Sequence, residues 1–455
     1  MQFEDDHLGY AFEGDYPESY GEDETALLRM VVARQIGGLA GGDPDADARL
    51  LGILMGRRAS GDLARAQVEW RRRRRGSPSL LARGEVLVAA EAYRDGVLGD
   101  LVRHYTGPSD AAVGRTGRVC LRRPCADLAE TDKFIDRAAA RKVSVYPNYL
   151  STMAAVGKGI GGPEPAPKLP ADEVAKLRGP GRSDGKPVRV AVIDTGIPQD
   201  TRPDGVLNDV MRRADRENID ELDVFPAGKD DLLDYQAGHG TFVAGVVRRV
   251  ARNAEVVVYR AADSDGFATD HDIAEQILQA YADKADVINL SLGIQTVDDQ
   301  PPPAIAAAVK HVVDDSKGKT VLVAAAGNNG DDTPVWPANL DGVEAVAGLT
   351  AYLTPSRWSS YGDKVRFSTV AEGIRSTFVS GTESPVFDPS PDTFGEDAWA
   401  LWSGTSFAAP QVAGAIARIC DEERVEPRAA VNKLDKFGKP IPGYGKAMRI
   451  LQGLG

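Results

Sequence analysis

Three side chains that could act together on an acyl group sit in separate Gly-flanked turns of this 455-residue chain. Asp194 ends an apolar run in AVIDTG (191–196), His239 lies in GHGTFVAG (238–245), and Ser406 lies in SGTSFAAPQVAG (403–414). An imidazole can take the proton of a serine hydroxyl, and a carboxylate can orient the imidazole and stabilise its charged form. The chemistry such a trio offers is attack of an activated hydroxyl on a carbonyl carbon. His239 is the candidate base because the other four histidines stand in poorer settings. His7 lies in an acidic stretch, and His104, His271 and His311 lie on helical stretches without Gly on both sides. Gly238 and Gly240 leave space beside His239 for close approach. Ser406 opens a helix of small residues, whose N-terminus favours developing negative charge. Pro410 is expected in the first turn of that helix, where a missing N–H costs nothing. A fourth segment, VAAAGNN (323–329), places Asn328 at a strand end, where its amide could donate to an oxyanion. Each turn alone has a plainer reading, such as a strand-end Asp capping a turn or a Ser capping a helix. The four together, in this order, favour the chemical one.

The surrounding pattern says what must hold them. Short apolar runs rich in β-branched residues recur at 188–193, 255–261, 286–293, 320–327 and 343–349. Helical stretches alternate with them at 239–251, 271–284, 302–316 and 406–420. Such an alternation predicts an α/β fold with a parallel sheet buried on both faces. Functional groups then gather at the carboxyl ends of the strands.

The chain before residue 188 reads differently. Residues 1–24 read as a disordered acidic tail. Residues 25–83 read as helical, with a third helix from Asp62 to Arg75 ending in WRRRRR (70–75). Residues 84–150 read as a small α+β unit with strands at 85–89, 118–122 and 143–149. Helices are expected from Tyr93 to Tyr105 and from Leu128 to Ala140, the latter with Asp127 and Glu130 spaced as a capping box. An antiparallel sheet with helices on one face would join them. Residues 151–187, rich in Gly, Pro and charge, read as a linker, and 188–455 as the final domain.

Composition narrows the function further. A formal net charge of -13 disfavours nucleic acid as a partner. The run Arg71 to Arg75 is therefore read as a solvated helix end. The N-terminus lacks the apolar core of a signal peptide, and no apolar run reaches membrane-spanning length. Three cysteines, Cys120, Cys125 and Cys420, are too few and too odd for a disulfide framework, which argues for free thiols and a cytoplasmic home. No cofactor motif and no metal-ligand cluster is visible.

The segments around Asp194, His239, Asn328 and Ser406 resemble, in order and sequence, those of the subtilisin-like (subtilase, S8-type) serine protease family. DVINLSLG (286–293), WPA (336–338) and SRWSSYG (356–362) extend the resemblance over about 188–420. It implies a subtilisin-like catalytic domain and a serine endopeptidase acting on peptide or protein substrates, without a cofactor. Ser406 would be the nucleophile, His239 the base and later the acid, and Asp194 the group that orients His239. Asn328 and the Ser406 N–H would form the oxyanion hole. Ser291, Leu292 and Gly293 would line one wall of the first specificity pocket, with Ala326 and Gly327 on the other. Gly266, Phe267 and Ala268 would form the edge that pairs with an extended substrate. More weakly, 84–150 resembles the family's inhibitory prodomain, with one clear strand between its helices where the family has two. That resemblance implies a zymogen restrained by its own N-terminal domain, with the chain beyond Tyr149 in the cleft and a processing site within 151–187. Three departures stand out. Phe242 replaces a second His, Ser403 replaces an Asn, and the insertion that builds a tight calcium site in secreted relatives is missing. Three rival readings are a catalytically silent binding or regulatory protein on the same fold, a sedolisin-type acid peptidase, which uses Glu where this chain has His239, and a nucleic-acid-linked protein acting through Arg71 to Arg75.

Overall fold

The computed structural model describes residues 29–30, 32–33, 35, 44–59, 67–73, 78–107, 115–153, 162–178, 186–211, 216–226, 230–388 and 390–451. The acidic tail and the linker residues 154–161 and 179–185 lie outside the described residues.

Residues 29–30, 32–33 and 35 are helical, and helix α1 (Pro44–Ala59) follows. An antiparallel sheet follows, with β1 (Val68–Arg71) and β3 (Arg118–Arg122) paired to β2 (Ser79–Ala89), and with β4 (Val145–Met153) also paired to β2. The helix expected over 62–75 is thus replaced by strand at 68–71. Val68 and Trp70 share one face, Val68 buried and Trp70 half-exposed, while Glu69 and Arg71 alternate to the other face, where they pair with Arg83 and Asp132. The sheet also begins before residue 84. A register shift between Leu81 and Val86 breaks the alternation there, and Gly84 has φ +66° with Arg123 O only 2.1 Å from where a Cβ would be. The long helix expected from Tyr93 to Tyr105 is cut at Gly96 and Gly99, both with positive φ. It becomes α2 (Ala90–Arg94) and a 3₁₀ segment at Gly99–His104. Helix α3 (Leu128–Ala140) starts where expected, with the Asp127–Glu130 capping box formed. Phe134 and Ala138 on its inner side join Val86, Val88, Val119 and Leu121 in a separate small core.

A short strand β5 (Glu164–Ala166) and helix α4 (Ala171–Lys176) lead into the main domain. Its strands and helices follow in order as β6 (Arg189–Asp194), α5 (His239–Val250), β7 (Glu255–Arg260), β8 (Ala268–Thr269), α6 (Asp270–Ala282), β9 (Val287–Leu290) and β10 (Leu292–Gly293). Then come α7 (Pro303–Ser316), β11 (Val321–Ala325), β12 (Val343–Leu349), β13 (Val365–Val370), β14 (Ile374–Thr377) and the small pair β15 (Gly381–Thr382) and β16 (Thr393–Phe394). The chain closes with β17 (Trp399–Trp402), α8 (Thr405–Glu423), α9 (Pro427–Leu434), β18 (Lys439–Ile441) and β19 (Gly445–Ala447). The central sheet has the order β18-β19-β13-β12-β11-β9-β6-β7 and is parallel except at β18.

Alternate residues of these strands feed opposite faces. Val190 and Val192 of β6 join the core under α5 and α8, while Ala191 and Ile193 join the core under α6 and α7. Both faces are dry, which is why the strands are continuously apolar. Strand β6 has β7 on one side and β9 on the other, so the chain order reverses at β6. The crevice outside the carboxyl ends at such a reversal is where α/β sheets place their ligands.

Candidate active site

Asp194 is the last residue of β6, at that reversal. Its Oδ1 accepts from the Thr195 N–H (2.8 Å) and from His239 Nδ1 (2.7 Å). His239 is the first residue of α5, and Gly238 before it has φ +82°. A side chain at position 240 would put its Cβ 2.2 Å from Gly196 O, so only Gly lets α5 approach the Asp194 turn this closely. The ring of His239 packs against Trp402 and Phe407, with centroids 5.4 Å away in both cases. Phe242 lies 4.4 Å from the Phe407 ring, so an apolar residue fits where the sequence departs from the family.

Ser406 is the second residue of α8, after Gly404 and Thr405. Its Oγ donates to the Ser291 carbonyl (3.0 Å), and His239 Nε2 has no hydrogen-bond partner among the described residues. Asp194, His239 and Ser406 are all fully buried. Pro410 lies in the second turn of α8, not the first as expected. Its missing N–H leaves the Ser406 carbonyl without the usual intrahelical donor. The Ser291 hydroxyl supplies the bond instead (2.7 Å), and Asn289 Nδ2 donates to that hydroxyl (3.0 Å).

Asn328 follows β11. Its Oδ1 accepts from the Thr405 N–H (3.1 Å) and the Thr405 hydroxyl (2.8 Å). That contact fixes the amide with its NH₂ end opposite Thr405. Ala326 and Gly327 precede it, just beyond β11, and Ser291 and β10 (Leu292–Gly293) follow β9, the strand paired with β11. The side chain of Val335 lies between these two walls. Its Cγ1 is 2.5 Å from where a Cβ of residue 293 would be, and its Cγ2 is 2.9 Å from the same point at Gly327.

The cleft between the two edges is filled by the chain's own N-terminal unit. Strand β4 pairs antiparallel with β8, Leu150 opposite Thr269 and Ser151 opposite Ala268. It also pairs antiparallel with β10, Thr152 opposite Gly293 and Met153 opposite Leu292. Gly266 and Phe267 turn the chain into β8, with the Gly266 N–H donating to Asp263 O (2.8 Å).

Two supports were not visible in the motifs. Asp220 Oδ2 accepts from the Gly238 N–H (2.9 Å) and the Thr195 hydroxyl (3.0 Å), and Thr195 Oγ1 accepts from the Gly240 N–H (3.0 Å). It therefore ties the Asp194 turn to the start of the His239 helix. Burial pushes its carboxyl up to about 7, against the pull of the Gly238 N–H, Arg260 and the Thr195 hydroxyl. Ser291 is the second, through its two bonds to Ser406. The sequence pointed to Ser291 only as a wall of the first specificity pocket, and nothing in the motif signalled its contact with Ser406.

Of the arginine run, Arg71 pairs with Asp132 and Arg73 with Asp299. Arg74 and Arg75 lie outside the described residues. No helix among the described residues is long and apolar enough to cross a membrane.

Comparison with known proteins agrees with this geometry. Residues 185–431 match the model of the subtilase family of S8 peptidases. The chain is 34% identical over 256 residues to the thermophilic serine proteinase of Bacillus sp. (strain AK1), covering 54% of this chain and 55% of that one. It is 30% identical over 268 residues to thermitase of Thermoactinomyces vulgaris, covering 56% of this chain and 84% of that one. The match thus spans about half the length of the Bacillus proteinase. The fold is similar to that of fervidolysin from Fervidobacterium pennivorans, with TM-score 0.57 and 20% identity over 82% of this chain and 60% of that one. With more than half of its residues matched and the turns of Asp194, His239 and Ser406 gathered at one sheet reversal, the chain belongs to the subtilase family.

Proposed function

We propose that the protein is a serine endopeptidase made as a self-inhibited precursor, with Asp194, His239 and Ser406 as its triad. The observation that carries the reading is β4. It is an extended peptide, paired on both edges, that runs toward Ser406. Main-chain pairing of this kind suits a polypeptide substrate, because every residue offers the same N–H and C=O groups. Segment 84–150 with its forerunners β1 and β2 then acts as the inhibitory domain, and processing falls within 151–187.

In the reaction, Ser406 Oγ attacks the scissile carbonyl carbon as its proton passes to His239 Nε2. The carbonyl electron pair moves onto oxygen, where the Asn328 amide and the Ser406 N–H stabilise it. Collapse breaks the C–N bond, and His239 returns the proton to the leaving amine. Water repeats the sequence on the acyl-enzyme, releasing the acid and restoring Ser406. Asp194 keeps the proton on Nδ1, so Nε2 is the nitrogen that takes the serine proton. The three free cysteines, two of them buried, are consistent with a reducing, cytoplasmic setting.

The test is mass spectrometry of the purified chain beside Ser406→Ala, with fluorophosphonate labelling of both. A cut within 147–187 and a label on Ser406 are expected in the wild type alone. An uncut wild type that takes no label, even after its N-terminal unit has been trimmed by an added protease, would overturn the reading and favour a silent binding protein.

A further inference from the structure

Helix α1 ends in Arg57 and Arg58, and both reach into the catalytic domain. Arg57 Nη2 lies 2.9 Å from Asp234 Oδ1, and Arg57 also donates to Phe225 O. Arg58 Nη2 lies 2.8 Å from Asp263 Oδ2, with Asp265 Oδ2 3.6 Å from its other terminal nitrogen. The Arg58 guanidinium sits over two rings, 4.7 Å from the Phe225 centroid and 4.9 Å from that of Phe267, and the Arg57 guanidinium lies 5.1 Å from the Phe387 ring. The carboxylates of Asp234 and Asp265 are fully buried. A planar cation between aromatic faces, with carboxylates at its fork, is the arrangement that favours arginine over lysine.

Asp234 also has partners within the catalytic domain. Asp234 is held by the N–H groups of Val224 (2.7 Å) and Phe225 (3.1 Å) and by the Ser264 hydroxyl (2.5 Å). Burial nevertheless pushes its carboxyl up to about 6, and that of Asp265 up to about 7. Arg57 pulls the Asp234 carboxyl back down, and Arg58 and Arg57 do the same at Asp265, so the paired cations offset part of that burial.

Its position gives it a consequence. Phe267 directly precedes β8, the edge on which β4 lies. Leu54 of α1, Leu150 of β4, Phe267 and Phe387 form one apolar cluster, with Leu50, Leu51, Ile53 and Met55 packed against it. Helix α1 thus covers β4 from outside while its two arginines grip the catalytic domain. We propose that the pocket of Asp234, Asp263, Asp265, Phe225, Phe267 and Phe387 is a docking surface for the paired arginines of α1, and that this contact is a second inhibitory anchor, separate from the sheet pairing of β4. It rests on the precursor reading above. Release of β4 then requires α1 to leave its pocket.

The test uses the full-length chain with Arg57→Glu and Arg58→Glu combined, in two backgrounds. With Ser406→Ala, amide hydrogen exchange reads docking without any need for activity. The double variant should speed exchange in 44–59 and in 263–269, and Asp263→Arg with Asp265→Asn should restore slow exchange. With Ser406 intact, the double variant should shorten the lag before self-processing by about a hundredfold or more, the scale of removing one partner from a buried ion pair. The final kcat/KM toward a short peptide should be unchanged. Unchanged exchange would overturn the docking surface. Faster exchange with an unchanged lag would overturn the inhibitory role. A chain that never processes, with docking intact, would instead count against the protease reading alone.

Discussion

Ser291 and Ser406 hold each other by two bonds, the Ser406 hydroxyl donating to the Ser291 carbonyl over 3.0 Å and the Ser291 hydroxyl donating to the Ser406 carbonyl over 2.7 Å. The second bond exists because Pro410 cannot donate to that carbonyl. The first one parks the candidate nucleophile. Ile294 exchanges both backbone bonds with Trp336, so the alternate residues Gly293 and Ser291 turn theirs to the edge where β4 lies. A substrate strand one residue longer would bring an N–H to the Ser291 carbonyl and free the hydroxyl for His239. Ser291→Ala should strand a buried carbonyl, at about 1–3 kcal/mol. It should also lower kcat about tenfold, the scale of one lost positioning bond. Adding Pro410→Ala restores a donor and should recover most of both losses. Thermal unfolding in a Ser406→Ala background and peptide kinetics with Ser406 intact check this, and a double variant no better than Ser291→Ala would contradict it.

That the turns of Asp194, His239 and Ser406 would meet was legible because Gly, Asp, His and Ser in fixed short patterns leave few other structures open to them. The strands were legible because burial on both faces makes them uniformly apolar. Asp220 was not, since a loop carboxylate has no periodicity and only the fold brings it to Gly238. The strand β1 was masked by its arginines, which look like a helix end until Asp132 and Asp299 are seen to face them. The break at Gly84 hid the first half of β2 for a similar local reason. Pro410 was misplaced by one turn because the helix start at Thr405 depends on Asn328, far off in sequence.

Thr405 should matter for catalysis through Asn328, while its Oγ1 also accepts from the Gly327 N–H (3.2 Å), a bond that bears on stability. Asn328→Ala removes a donor to the oxyanion and should cost about 2.7–4 kcal/mol in kcat, the scale known for such a donor in a related protease, with KM little changed. Thr405→Val keeps the donor but loses the hydroxyl that fixes its direction, a loss of about 1 kcal/mol. In the double variant the two effects on kcat should not add, since the Asn328 amide that Thr405 orients is gone. Single-turnover kinetics of the four proteins decides it, and full additivity would separate the two residues.

Val335 should set the size of the residue accepted before the cleaved bond. Its two methyl groups lie against both glycine walls, so the space between Gly293 and Gly327 is closed at that point by a branched side chain. Small side chains such as Ala are expected to be cleaved best. Val335→Gly should open the space and raise kcat/KM for Phe relative to Ala by roughly 10–200-fold, the range that methylene-scale changes in an apolar pocket provide. Profiling on a peptide library checks the order, and an unchanged order would place the specificity wall elsewhere.

Asp220 predicts a stability that falls as pH rises. Its carboxyl titrates near 7 in the folded chain, against an ordinary value of 3.8. The folded state therefore holds the proton more tightly than the unfolded one. Its contribution is fully present below about 3.8 and is lost as pH climbs through 7. Asn at this position keeps an oxygen for the Gly238 N–H and the Thr195 hydroxyl but cannot ionise. In a Ser406→Ala background, the Tm of Asp220→Asn relative to Asp220 should rise steadily between pH 4 and 8. With Ser406 intact, Asp220→Ala should lose activity at every pH, because both acceptor bonds that join the Asp194 turn to the His239 helix are gone. A Tm difference flat in pH would mean that the proton is not held at Asp220.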